Sequence, residues 1–249
     1  MAFDYNQHAG AGTENLSPQA SAPFMSVIQK GSPEIDPTHP KHKERAMPTA
    51  KAGDIIFNPE RRILPQPLRA IPVGTLQCYQ IFRPRNQGGG WIKNMDVMSA
   101  QKTPGYVKHP KGHPKEYKEF IGQDEAIYTV FVFILWLDKT EWKKGILTYT
   151  GATLKTFRQF SSQAQGFRLE SNPDIVPPIF ARECELKTEV DSNPKGGWMV
   201  AKLVPSRVLD PEKDESLLTM AAETSKDAAI RITASEQKQL AAPATEQPY

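Results

Sequence analysis

Several features that would identify a common class of protein are missing from this chain of 249 residues. Cysteine occurs twice, at Cys78 and Cys184, which is too few for a disulfide scaffold or a cysteine-rich zinc site. No apolar run reaches the roughly 18–20 residues that span a bilayer, because the longest, 127–137, is too short. The first residues lack the basic start and apolar stretch of a secretory signal. We therefore expect a soluble protein in a reducing, intracellular setting, with no membrane contact.

The familiar catalytic motifs are missing too. The sequence has no GxxxxGK[ST] phosphate loop, no GxSxG nucleophile elbow and no HExxH zinc motif. His109 and His113 have the i, i+4 spacing of a zinc-binding helix, but Pro110 and Pro114 oppose a helix there. We predict no catalytic residue, no metal and no cofactor.

One loose pattern resembles a metal-dependent nuclease. Asp174 follows a proline, and Glu185 and Lys187 follow at the spacing of a PD…(D/E)xK motif. Such a site needs two carboxylates close together around Mg²⁺. Asp174 lies in the proline-rich segment NPDIVPP, which predicts a turn rather than a strand. A nuclease is therefore the third of our function hypotheses.

Charge and composition divide the chain into three parts. Residues 1–50 are rich in Pro, Ala, Ser, Gln and Gly, which predicts a mostly disordered arm, although 24–28 can dock on the body. Residues 51–208 carry 23 basic and 15 acidic side chains, a net charge of +8, and should form the folded β-rich domain. Residues 209–249 carry 4 basic and 8 acidic side chains, which predicts an acidic helix and a disordered tail. A basic domain attracts polyanions, although an ordinary solvated surface explains the charge equally well.

Hydrophobic spacing predicts mostly antiparallel strands with one inserted helix. The predicted strands are 68–82, bent near 72–74, then 91–98, 126–137, 142–149, 179–190 and 198–204. Helices are predicted at 150–165 and 211–224, and a long loop at 99–124. This order favours an OB-like antiparallel Greek-key barrel with an inserted helix and a C-terminal helix. A β-sandwich with an embedded helix is the alternative.

Basic and aromatic residues interleave between 79 and 118, around the triple glycine 88–90. Cations follow phosphates and aromatic faces stack on unpaired bases, so this pattern is typical of a groove for single-stranded nucleic acid. The glycines would let the backbone approach a ligand closely. The candidate contacts are Arg83, Arg85, Trp91, Lys93, Tyr106, Lys108, Lys111, Lys115, Tyr117 and Lys118, with Trp142, Lys143 and Lys144 extending the platform.

Several short motifs resemble a family of tailed-bacteriophage proteins that includes single-stranded DNA-binding proteins of the replication and recombination region. They are GDIIFN at 53–58, IPV at 71–73, FRPR at 82–85, GGGW at 88–91 and PIFA at 178–181. The resemblance implies a protein of the infected cell's cytoplasm. It also implies that the protein coats exposed template strands beside a phage or host polymerase, helicase or recombinase.

The leading hypothesis is therefore non-enzymatic, largely sequence-independent binding of single-stranded DNA. A virion component or a host-factor-binding structural protein is the second hypothesis, supported by the proline-rich arm and the lack of catalytic motifs.

Overall fold

The structure is a computed structural model that describes residues 23–110, 112–113, 118–168, 174, 177–193 and 196–226. The described chain is mainly β, as predicted from the sequence. Its strands are β1 (Phe24–Val27), β2 (Ile55–Phe57), β3 (Arg62–Leu64), β4 (Leu68–Arg83), β5 (Gly90–Asp96), β6 (Tyr106–Lys108), β7 (Glu119–Ile121), β8 (Asp124–Asp138), β9 (Glu141–Thr150), β10 (Arg182–Asn193) and β11 (Gly196–Val208). Its helices are α1 (His42–Arg45), α2 (Val97–Lys102), α3 (Leu154–Gln165) and α4, at 215–226.

Within the described residues, eleven strands form one curled, open sheet that wraps its core as a half-barrel. Eight strands follow in the order β11-β10-β4-β8-β9-β1-β2-β3, while β5 adds to β4 and β7 and β6 extend from β8. Every pair is antiparallel except β1 with β9. The mainly β class is thus confirmed, and the curled sheet is open, forming a half-barrel.

The long strands β4 and β8 form the ribbon on which the rest is built. They pair from Ala70–Trp136 to Phe82–Glu125, with a register shift between Pro72 and Gly74. The predicted strand and its bend near Pro72 are thus confirmed. Proline cannot donate a hydrogen bond to a neighbouring strand, so it occurs at irregularities of this kind. The pairing also confirms the prediction that 126–137 is a central strand.

The half-barrel encloses the main core. Alternate residues of β8 point inwards, including Val130, Val132, Ile134 and Trp136. The helix α3 packs over them through Phe157. A capping box between Thr150 and Thr153 starts this helical segment, so the predicted helix is confirmed.

The opposite face of the ribbon is covered by the acidic C-terminal segment. Leu217 and Ala221 of α4 pack on Ile71, Val73 and Leu135. Burial on both faces explains why β8 is apolar throughout.

A network of charges fastens this segment to the sheet. Glu183 is 3% exposed and lies between the guanidinium groups of Arg69 and Arg207. Arg207 in turn forms two hydrogen bonds with Asp214, at 2.7 and 3.0 Å. The hydrogen bond from Arg69, with the charge of Arg207, keeps the pKa of the Glu183 carboxyl below its usual value although burial opposes this.

Side chains close the seam where the curl brings β1 towards β11. Gln29 Nε2 donates to the Met199 carbonyl at 2.8 Å, and Gln29 Oε1 accepts from the Met199 N–H at 2.9 Å. Further along β11, the Tyr149 hydroxyl donates to the Ala201 carbonyl at 3.1 Å. The Met199 N–H and carbonyl and the Ala201 carbonyl thus obtain side-chain partners at this edge.

The sheet continues past the main core into a smaller part, called here the distal end. It consists of the described residues between 78 and 128, which include β5, α2, β6, β7 and the adjoining parts of β4 and β8; the other described residues are called the body. Its own core is small, with Tyr79, Ile81, Ala100 and Ala126 buried at its centre.

Two sequence-based expectations are corrected at the distal end. The segment 99–124 was expected to be a loop, but it contains most of α2 and the paired strands β6 and β7. The strand expected to reach Met98 ends at Asp96, because Asp96 Oδ1 accepts the Ser99 N–H at 2.9 Å and caps α2.

Order also begins earlier than the sequence indicated. Phe24–Val27 forms β1, which docks between β9 and β2 and buries Met25. The expectation that 24–28 can dock on the body is thus confirmed. The remainder of 23–50 is likewise placed, including α1. The first 22 residues and 227–249 of the acidic tail lie outside the described residues.

Candidate nucleic-acid interface

One face of the distal end carries a row of side chains that crosses five strands. The register pairs Trp91 of β5 with Phe82 of β4, Phe82 with Glu125 of β8, Glu125 with Phe120 of β7, and Phe120 with Val107 of β6. Directly paired residues of antiparallel strands point to the same face. These residues therefore form a continuous line, called here the distal row, about 19 Å long at ~4.8 Å per strand.

The two ends of the distal row are the most open. Trp91 is 42% exposed and Val107 is 47% exposed, whereas Phe82 and Phe120 are half-buried. Trp91 Nε1 donates to Asn94 Oδ1 at 3.1 Å, which fixes the orientation of its ring. The row thus presents apolar and aromatic surface to solvent without a large core behind it.

A groove of about 720 Å³ runs beside the row. It is lined by Pro84, Asn86, Gln87, Val107, His109, Lys118, Phe120, Gly122, Gln123 and Glu125. His109 stacks on His113 with ring centroids 3.9 Å apart, and its ring meets Phe120 edge-on at 5.4 Å. The groove is therefore lined by the rings of His109 and Phe120 and by the residues that precede the triple glycine.

The turn that carries Trp91 depends on its glycines. Gly88, Gly89 and Gly90 all have positive φ, at 96°, 59° and 114°. L-residues rarely adopt these angles, so the turn requires glycine here. It begins with a 3-10 turn at Arg85–Gln87, of which Arg85 is described by its backbone alone.

The predicted cations at this end divide into two groups. Arg83 and Lys93 are exposed and have no ion pair with any residue in the described chain, but they project from the face opposite the distal row, since Lys93 pairs with Ile81 and Arg83 alternates with Phe82. Lys118 Nζ instead lies 2.9 Å from Glu125 Oε1, and Lys108 Nζ lies 2.7 Å from Glu119 Oε1. The Lys118 pair is exposed and contributes little stability, so a phosphate can replace Glu125 at low cost, whereas Glu119 is buried and holds Lys108 in place.

Tyr106 has a different position from the one the sequence suggested. It lies on the opposite face, where its ring meets Tyr79 edge-on at 6.1 Å and its hydroxyl donates to Glu119 Oε2 at 2.9 Å. Burial raises the pKa of Glu119, but hydrogen bonds from Lys108, Tyr79 and Tyr106 outweigh it and leave the pKa below its usual value. Tyr106 therefore supports the distal core from below the sheet.

The three predicted contacts at 142–144 lie on the body, far from the distal row. Lys143 pairs with Trp136, which is eleven residues from Glu125 on β8, or about 36 Å of extended strand. Lys143 Nζ is 2.7 Å from Asp138 Oδ2, and Trp142 is half-buried beside the Arg69 guanidinium at 5.7 Å. Lys144 is exposed on the same strand. The structure does not bring these residues into one platform with Trp91.

Three more predicted contacts cannot be placed. Lys111, Lys115 and Tyr117 lie outside the described residues.

The residues of the nuclease-like pattern lie in different elements. Asp174 lies exposed in a turn, and Glu185 lies exposed on β10, with Lys187 beside Glu189 at 3.2 Å. Among the residues that the structure describes, no group of three or more His, Cys, Asp or Glu side chains is arranged to hold a metal. Both cysteines are buried, which raises the pKa of each thiol to about 12.

Phe82, Phe120 and Val107 were missed by the sequence reasoning. Their signal in the sequence was weak, because Phe82 and Phe120 are apolar residues that a short strand would equally place in its core. The pairing of β6 with β7 and of β7 with β8 was needed to place them in line with Trp91.

The protein is thus mainly β and has an exposed sheet surface that carries aromatic rings. The chain matches a family model described as Pam3 phage gp34-like protein over residues 1–230. Because that match covers most of the chain, the protein belongs to this family of phage proteins. No curated protein and no solved structure matches it. No helix in the described part of the chain has the length and apolar character needed to cross a membrane.

Proposed function

We propose that this phage-family protein binds single-stranded DNA on the distal row, without catalysis and with little dependence on sequence. The observation that carries the proposal is the alignment on one face of Trp91 and Phe82, on adjacent strands, with Phe120, which lies beyond Glu125 of β8. Unpaired bases expose flat faces that stack on such rings, at ~1–3 kcal/mol per base. A duplex hides those faces, so a surface of this kind favours single strands.

One charge at the margin of the row supports the same proposal. Lys118 lies beside Glu125 and becomes available to a phosphate when its bond to Glu125 is exchanged. In this arrangement bases lie on the row and the backbone passes Lys118. We propose that the curled sheet serves as an OB-like surface, in which strands carry the stacking groups and loops wrap the ligand.

The proposed setting is the cytoplasm of the infected host cell. Single-stranded DNA is exposed there during replication and recombination, and a sequence-independent binder would cover it. A phage or host polymerase, helicase or recombinase would be the functional partner.

The proposal is tested by fluorescence anisotropy with labelled oligo-dT, duplex DNA and oligo-U. We expect micromolar or tighter binding of oligo-dT at low salt and weaker binding of duplex. If three or four phosphates are neutralised, the log–log slope against salt should be about −2 to −3. A protein that binds none of the three probes would refute the proposal.

A second function is favoured by a specific observation. Lys108 and Lys118 already have carboxylate partners, and Val107 is 47% exposed, which also suits a protein-docking surface. The protein would then be a virion component or a host-interaction protein. Its presence in purified particles, together with no oligonucleotide binding, would support this function over the first.

A further inference from the structure

We infer that Glu125 gives the distal row a preference among bases, selecting those that present neighbouring N–H donors, guanine above all. This inference rests on the proposed function and adds a specificity to it. Glu125 is the central position of the row, with Phe82 on one side and Phe120 on the other.

The position of Glu125 determines what its carboxylate can meet. Each neighbouring ring lies one strand spacing away, ~4.8 Å. A base stacked on Phe82 or Phe120 therefore brings one of its edges over the middle strand, where Glu125 lies. The side chain of Glu125 is 34% exposed, so the carboxylate is accessible from the groove.

The ion pair between Glu125 and Lys118 is exposed and can exchange partners. The Lys118 side chain is 55% exposed, and its Nζ lies 2.9 Å from Glu125 Oε1. Solvent screens such a pair, so breaking it costs little. When a nucleotide binds, its phosphate can take Lys118 while a base donor takes Glu125. Lys118 then pairs with the phosphate, and Glu125 accepts hydrogen bonds from the base.

The chemistry of the bases sets the order of preference. A carboxylate only accepts hydrogen bonds. Guanine offers N1–H and the N2 amino group side by side, which fits two carboxylate oxygens. Cytosine and adenine each offer one amino group, and a carboxylate accepts from the N4 amino group of cytosine in known recognition. Thymine offers one N–H between two carbonyl oxygens that repel the carboxylate. The expected order is guanine, then cytosine and adenine, then thymine.

A pair of matched oligonucleotides isolates this contact. We would measure the affinities of (GT)6 and (IT)6, in which inosine keeps the N1–H of guanine but lacks the N2 amino group. The wild type should bind (GT)6 about fivefold or more tightly than (IT)6, and (IT)6 more tightly than T12. In Glu125→Gln the ratio of (GT)6 to (IT)6 should fall to about one, while T12 binds at least as tightly as to the wild type because a repulsive charge is gone.

The control variant is Glu185→Gln, which changes an exposed carboxylate on the body strand β10 and should keep the wild-type ratio. Thermal unfolding of each variant establishes that the fold is retained. Equal wild-type affinities for (GT)6 and (IT)6 would overturn the inference and leave the proposed function standing. A ratio that persists in Glu125→Gln would assign the preference to another residue. Failure to bind any of the three oligonucleotides would overturn the proposed function and this inference with it.

Discussion

The body and the distal end share two strands, β4 and β8, but use them differently. In the body, β8 is covered on one face by the main core and on the other by α4, so Trp136 and Leu135 are both buried. At the distal end the same strand has a small core on one face only, and the other face presents the distal row. A sheet that extends past its main core therefore leaves one face open to solvent while the part that holds it together stays covered on both faces.

The largest expected effect is a loss of stability caused by a change in the body core. Trp136 is fully buried in the half-barrel, and its Nε1 donates to the Lys144 carbonyl at 3.4 Å. Trp136→Ala should lower the free energy of unfolding by about 3–5 kcal/mol, because it removes a large buried side chain and leaves a cavity. Urea unfolding followed by circular dichroism measures this loss. The folded fraction at low temperature should still bind oligo-dT, and a specific loss of its affinity would show that the two parts are not independent.

The reverse result is expected at the distal row. Trp91→Ala should weaken oligo-dT binding by about 1–3 kcal/mol, since one stacking ring is lost. Its unfolding midpoint should stay close to that of the wild type, because Trp91 is exposed. Trp91→Phe, which retains a ring, is the matched control and should keep most of the affinity. Unchanged binding by Trp91→Ala would exclude this end of the row as a contact.

Acid should affect the body through Asp138. Hydrogen bonds from Arg62 and Lys143 lower the pKa of Asp138 to about 2. The folded-state pKa is below the unfolded value, so this carboxylate stabilises the fold above about pH 4 and loses that effect as the pH falls towards 2. Solvent screens the cluster, so we expect a contribution of about 1 kcal/mol.

Urea midpoints measured from pH 7 to pH 2 test this contribution. Asp138→Asn should remove that part of the pH dependence, whereas Asp174→Asn, in an exposed turn, should leave it unchanged. An identical pH profile in Asp138→Asn and wild type would contradict the assignment.

The smallest effect should come from Lys118. Lys118→Gln removes one phosphate contact, so the log–log slope of affinity against salt should become shallower by about 0.7. Lys144→Gln, on the body, serves as the matched control and should leave the slope as it is. Equal slopes for both variants would place the phosphate path away from Lys118.

The local parts of the fold could be predicted from the sequence. The strand 68–82 and the central strand 126–137 follow from runs of β-branched and aromatic residues, and proline marks the bend in the first. The helix α2 was missed although Asp96 and Ser99 carry its capping signal. These features depend on neighbours in the sequence, and that is where single-sequence reasoning is strongest.

The candidate site was predictable only in part, because it depends on pairing between distant segments. Trp91 and the glycine turn were visible in the sequence, but their alignment with Phe120 requires β7 to pair with β8. The partners of Lys108 and Lys118 were hidden for the same reason, since each carboxylate lies on a neighbouring strand. The separation of Trp142 from Trp91 follows from the length of β8, which no local pattern reveals.

The amide of Gln29 has one further consequence. A glutamine amide offers the same donor and acceptor as a peptide group. At Met199 the Gln29 amide therefore forms the two hydrogen bonds that a neighbouring strand would form with the edge of β11. Unprotected rims invite intermolecular strand addition. Two hydrogen bonds from one side chain thus occupy the Met199 peptide group, so that a strand of another molecule cannot pair with it while they are in place.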